Sequence, residues 1–227
     1  MKIFFRILLV IAICVMGYIC VKSITTPIEF ENAQIQRERA IITKLIDIRQ
    51  AQLEYQKLNG KFCASADSLV FFILNENLPL VMKEGTLTDD QLNNGLTEEK
   101  AVAIINKGNM KQIIANGLEN FRRDTTFIGV YETLFEAKYS REEIAEMVII
   151  PYSKNVVFNF DTASYTNPVT ESVTPLFEVS ADYDSYLFDL DRQQLINLKE
   201  TRTKLERFLG LRVGSVSEPN NNAGNWE

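Results

Sequence analysis

Histidine is absent from the 227 residues. Its absence removes the usual general base at neutral pH and the commonest side-chain ligand for transition metals. Cysteine is scarce, with three in all. Cys14 and Cys20 fall in an apolar N-terminal run, which leaves Cys63 alone in the remainder, so no intramolecular disulfide is expected there. A lone thiol without a histidine partner reads as a small buried apolar residue. A basic excess is lacking too: the net charge is −6 and the pI about 5.0, with Lys and Arg dispersed among acidic residues. Such a chain offers no field for a phosphate backbone, so a nucleic-acid partner is not expected. Neither a G-x-S-x-G elbow nor a Ser-x-x-Lys pair nor a phosphate-cradling Gly-rich loop occurs. Asp182-Tyr183-Asp184 with Asp189-Leu190-Asp191 is the one acidic cluster of note, but it lacks the turn Gly and distal Glu of a calcium loop and reads as strand ends and turns. No catalytic, cofactor-binding or metal-ligating residue is therefore assigned, and no cofactor is expected.

What the chain does have is a long uncharged run, Ile7 to Val21, extended past Arg6 by Ile3, Phe4 and Phe5. At 1.5 Å per residue, Ile3 to Val21 covers roughly 28 Å as a helix, near the ~30 Å thickness of a bilayer's hydrocarbon core if Arg6 snorkels to the interface. The residues expected to meet lipid are Phe4, Phe5, Ile7, Leu8, Leu9, Val10, Ile11, Ala12, Ile13, Val15, Met16, Tyr18, Ile19 and Val21. Lys2 and Arg6 precede the run while Lys22 is followed by Glu29 and Glu31, which favours a cytoplasmic N-terminus. A cleaved signal peptide would need small residues before its cleavage point, and Tyr18-Ile19-Cys20-Val21 supplies bulky ones. Ile13 and Ile19, preceding the two cysteines, likewise do not fit a lipoprotein. The expectation is an uncleaved single-pass anchor in a bacterial inner membrane, with the rest of the chain in the periplasm.

Pro27 predicts a bend or the start of a second helix. Beyond it, Ile41, Leu45, Ile48 and Tyr55 share one helical face and Ile35, Ile42, Ile46 and Leu53 a neighbouring one, ending at Asn59-Gly60 with Phe62 after the turn. Ser65 to Leu74 predicts a helix and Pro79 to Met82 a strand. Capping-box patterns at Thr88 and Thr97, with Gly85, Gly95, Gly108 and Gly117 as stops, predict short helices over 84–120. The period then changes to two. Strands are expected at Thr126–Tyr131, Val148–Tyr152, Val156–Phe160, Phe177–Ser180 and Tyr186–Leu190, then a helix over Arg192–Phe208 and a last strand over Leu211–Val216. The fold class is α+β: a transmembrane helix continuing into a long amphipathic helix packed on an antiparallel meander, with short helices inserted in the middle. The expected layout is 1–22 N-terminus and anchor, 23–62 linker and long helix, 63–216 α+β domain, and 217–227 polar tail. Trp226, the only tryptophan, sits in that tail. Such an aromatic docks either on its own domain, the simpler reading, or in a partner's pocket.

An apolar helix running into ITKLIDIRQAQLEYQKLNGKF resembles the opening of type IV pilins and type II secretion pseudopilins, although the pilin cleavage signature is missing and no acidic residue precedes Glu29. Across its length the chain is also similar to a family of membrane-anchored envelope proteins of Bacteroides-like bacteria, through Ile41 to Phe62, Arg122-Arg123-Asp124-Thr125, and the ending from Gly210-Leu211-Arg212-Val213-Gly214-Ser215 to Asn225-Trp226-Glu227. That resemblance implies compartment and layout and carries no activity. The function expected is a non-enzymatic structural or assembly component of an envelope complex, whose partners are the lipid bilayer and other envelope proteins. Two alternatives stand beside it: a pseudopilin-like subunit of a secretion or pilus-like machine, and an envelope enzyme or sensor with its site in 84–120.

Overall fold

The computed structural model describes the backbone of Lys2–Glu227, with all side chains in that range except those of Lys2, Ile3, Phe5, Val81, Met82, Lys83, Arg123, Asp124 and Thr125. One helix, α1 (Lys2–Asn59), carries both the apolar run and the amphipathic segment. No second helix starts at Pro27: the one helix passes through it. A proline costs a helix one hydrogen bond, so the packing of the turns beyond it must hold the segment in place. Burial begins at Phe30 and continues through Ile41, Leu45, Ile48 and Ala51, which face the main core. The neighbouring face is only half covered: Ile42 and Leu53 pack against the core, while Ile35 and Ile46 remain exposed. Gly60 closes the helix at φ +70, its N–H donating to the Gln56 carbonyl at 2.8 Å. Phe62 then turns inward and packs on the Phe177 ring, centroids 4.6 Å apart.

α2 (Ala66–Asn75) packs on α1 and leads into β1 (Asn77–Glu84), which pairs antiparallel with β2 (Arg122–Gly129). This two-stranded ribbon carries, between its strands, α3 (Asp89–Asn93), α4 (Glu98–Asn106) and α5 (Met110–Ala115). Both predicted caps form: Thr88 makes a reciprocal capping box with Gln91, and the Thr97 hydroxyl accepts from the Lys100 N–H. The segment has a small core of its own, Ala101, Leu118 and Phe121 under Leu87, Leu96, Val102 and Ile113.

Past the ribbon the expected single meander divides. β2 stops at Gly129, and Val130 and Tyr131, expected to extend it, open α6 (Val130–Leu134), where both are buried. After α7 (Ile144–Met147), Val148–Tyr152 forms a turn closed by an Ile149–Val157 bridge instead of a strand. Pro151 and the left-handed Tyr152 and Asn155 prevent an extended run there. β3 (Asn159–Thr166), β4 (Val173–Asp182) and β5 (Gly210–Gly214) make an antiparallel sheet in that order. α1 packs against β5. The predicted strand Tyr186–Leu190 is corrected as well. Tyr183 and Tyr186 are both buried at helical spacing in α8 (Tyr183–Tyr186), rings 5.9 Å apart, with the Ser185 hydroxyl donating to the Asp182 carbonyl at 2.6 Å. Two buried tyrosines three residues apart cannot share a strand face, so the helical turn wins. α9 (Arg192–Lys204) ends before Phe208 because Glu206 takes a left-handed conformation at φ 52.

Candidate functional site

From Arg6 to Thr25 every residue of α1 is exposed on all sides. Of the residues expected to meet lipid, those from Ile7 to Val21 lie in this exposed stretch, Phe4 before it is exposed too, and the Phe5 side chain lies outside the described set. Among the described residues α1 is the one helix long and apolar enough to cross a membrane, and none of its apolar window is buried within the protein. An all-round apolar helix left bare in water is a large unfavourable surface, far beyond the scattered apolar residues of a soluble exterior. Roughly 13 Å of helix separates Val21 from Phe30, the first residue of α1 described as buried. The headgroup layer of one leaflet is about 5–8 Å thick, so a span ending at Val21 brings the folded part close to the lipid surface.

Above that level, α1 holds the domain through polar side chains, each gripping a different segment. The Arg37 guanidinium donates to the Tyr186 carbonyl at 2.6 Å and to both carboxylate oxygens of Asp189, at 2.5 and 2.8 Å, while lying 5.1 Å over the Tyr152 ring. Bonding to Arg37 lowers the Asp189 carboxyl below its ordinary range. Lys44 donates to the carbonyls of Glu146 and Ile149 at 2.5 and 3.0 Å, capping the end of α7, and burial lowers its pKa. Asp47, 1% exposed, accepts from Lys138 at 2.6 Å and from the Tyr139 hydroxyl at 2.8 Å. The Gln52 amide is buried and bonds both the N–H and the carbonyl of Cys63, at 2.8 and 2.7 Å. Burial raises the Cys63 thiol above its ordinary range, which leaves it a poor nucleophile.

Arg49 reaches the tail, donating to the Asn222 carbonyl at 3.2 Å and to Glu227 at 2.7 Å. The tail is docked on its own domain. Gly214 N–H donates to the Ala223 carbonyl and Asn225 N–H to the Arg212 carbonyl, both at 3.0 Å, and the Asn225 amide reaches the Gly210 carbonyl at 3.0 Å. Trp226 packs against the main core and folds over Gly224, where an added Cβ would sit 2.4 Å from the ring. Here, then, the aromatic anchor found its groove on the same chain.

Compared with protein-family models, curated proteins and solved structures, the chain finds no match. The acidic cluster is dispersed among structural tasks: Asp184 pairs with Lys199 at 2.5 Å, Asp189 with Arg37, and Asp191 accepts the Gln194 N–H as the N-cap of α9. No group of three or more Cys, Asp or Glu suited to a metal ion is found among the described residues. Within 84–120, a groove of about 300 Å³ beside α5 has apolar walls and one carboxylate, Glu119, and another of about 370 Å³ is lined by amides and small residues. Neither brings a nucleophile to a base. A groove of about 540 Å³ lies between the end of α1 and α2, where Tyr55, Phe71 and Phe72 meet Asp67 and Glu76. The polar contacts along α1 were missed from sequence because Arg37, Lys44, Asp47 and Gln52 look like an ordinary solvated face. Only their positions beside Leu45 and Ile48 hinted that some would be covered.

Proposed function

We propose that the chain is a single-pass envelope protein whose α1 crosses the inner membrane, with the N-terminus inside, and holds the domain at the periplasmic face as a structural or assembly component. The observation that carries this reading is the continuity of α1: the helix with the bare apolar run is also the spine of the folded core. A domain fused to its anchor in this way transmits position and orientation, which suits assembly more than a tethered, freely tumbling enzyme. The orientation rests on Lys2 and Arg6 against Glu29 and Glu31. Partner proteins have a surface at the other end of the helix, where Phe71 is exposed beside Asp67 and Glu76, neither paired among the described residues.

Substituting both Val10 and Ile11 by Asp costs about 2.5–3.5 kcal/mol per charge near the centre of a span and should release the protein from membranes under alkaline extraction. Retention of the doubly substituted chain among integral proteins would overturn the anchor. Purification of the detergent-extracted chain should bring along a stable envelope partner in stoichiometric amount; a chain that always purifies alone contradicts an assembly role. A second reading, a pseudopilin-like subunit, draws on the long helix packed on an antiparallel sheet. It requires processing of the N-terminus, so a mature mass retaining everything after Met1 rules it out.

A further inference from the structure

Where α1 leaves the apolar run, the start of α9 comes near it, and the two line an open surface groove of about 410 Å³. Its walls change character along α1. Tyr18 and Ile19 line it on the side of the apolar run, followed by Lys22, Ser23 and Pro27, with Asp191 opposite on the α9 side. The groove thus has an apolar end continuous with the span, one cation and one anion. The Lys22 ammonium has no partner among the described residues, and Asp191 uses Oδ1 on the Gln194 N–H, leaving Oδ2 unpaired. Pro27 adds a further acceptor: having no N–H, it deprives the Ser23 carbonyl of its helical donor, and both residues line the groove.

We infer that this groove binds the headgroup of a zwitterionic phospholipid bearing a primary ammonium, drawn from the bilayer that α1 spans. The phosphate faces Lys22. The ammonium donates to Asp191 Oδ2 and the Ser23 carbonyl, and an acyl chain runs down past Ile19 and Tyr18 along the exposed helix. A choline headgroup carries the same charge but no N–H to donate, and a glycerol headgroup has no cation for Asp191. Bound lipid then joins α1 to α9 at the membrane surface and holds the domain upright on its anchor. This inference rests on α1 being a membrane span.

The test is native mass spectrometry of the full chain released from detergent in the presence of equimolar phosphatidylethanolamine, phosphatidylcholine and phosphatidylglycerol with identical acyl chains. Wild-type protein should retain one phosphatidylethanolamine about tenfold over either competitor, which corresponds to about 1.4 kcal/mol. Asp191→Asn preserves a good N-cap for α9 and Lys22→Gln preserves the helix, so both variants should fold and each should flatten the preference. Equal retention of the three lipids by wild-type protein, or a preference unchanged in both variants, overturns the site. Alkaline extraction of the membranes from which the protein was solubilised separates the two readings. Protein that stays in the membrane without lipid preference loses only the lipid site, whereas protein that washes out loses the span and the lipid site with it.

Discussion

Asp47 sits between Leu45 and Ile48 on the buried face of α1, and its carboxylate is 1% exposed. Its two donors differ in kind. Lys138 is 52% exposed on its side chain, so water screens its charge and can replace it in part. Tyr139 is half-buried, packs against the core beside Phe135 and delivers its hydroxyl to Oδ2 at 2.8 Å. Tyr139→Phe removes one oxygen and little packing, leaving Oδ2 buried without its donor. A hydrogen bond to a charged group contributes about 1.5–3 kcal/mol, and the burial of the acceptor places this one within that range. For a chain of this size, ~2 kcal/mol lowers the midpoint by about 4–8 °C. Thermal unfolding of the detergent-solubilised chain, followed by circular dichroism, measures it. Asp47→Ala completes a double-mutant cycle, and a coupling of about 1–2 kcal/mol between the two positions is expected because each change removes the same bond. A loss under ~0.5 kcal/mol for Tyr139→Phe, or additive single effects, would refute the claim that the Asp47 carboxylate depends on this donor.

Removing Ala223–Glu227 strips the tail bonds to β5, the Arg49–Glu227 pair and the Trp226 packing together; the thermal midpoint should fall while membrane retention is unchanged, and an unaltered midpoint would mean that the docked tail adds no stability. Alkaline pH should destabilise the fold: burial raises the phenols of Tyr139, Tyr183 and Tyr186 above their ordinary range, so they stay protonated when folded and ionise near pH ~10 when unfolded. Stability is thus full below pH ~10 and falls above it, by about 1.4 kcal/mol per pH unit from the fully buried Tyr186 alone. Lys44, held low by burial, acts in the opposite direction, but its contribution is complete by its unfolded value of ~10.4, so it offsets only the start of this decline. Urea midpoints between pH 9 and 11 should therefore decline in wild-type protein and decline less in Tyr186→Phe, and a flat profile would contradict the burial of these phenols.

Local chemistry made much of this protein legible in its sequence. An uncharged run predicts an all-round apolar helix whatever follows it. The stripe Ile41, Leu45, Ile48 predicts a buried face, and Asn59-Gly60, Thr88 and Thr97 mark helix ends through bonds made within a few residues. Where period and neighbours compete, sequence reading failed. Tyr186, Phe188 and Leu190 alternate as a strand would, yet the burial of Tyr183 with Tyr186 is satisfied only by a helical turn. Pro27 carries a local penalty that packing from Phe30 onward outweighs, so α1 runs through as one helix. The clamps from Arg37, Lys44, Asp47, Arg49 and Gln52 join residues far apart in the chain, as does the groove between Lys22 and Asp191. No spacing rule encodes those meetings. They exist because β5, α2, the turn after α7 and the tail come together along a single helix, and only that packing decides which charges on its surface face water and which face protein.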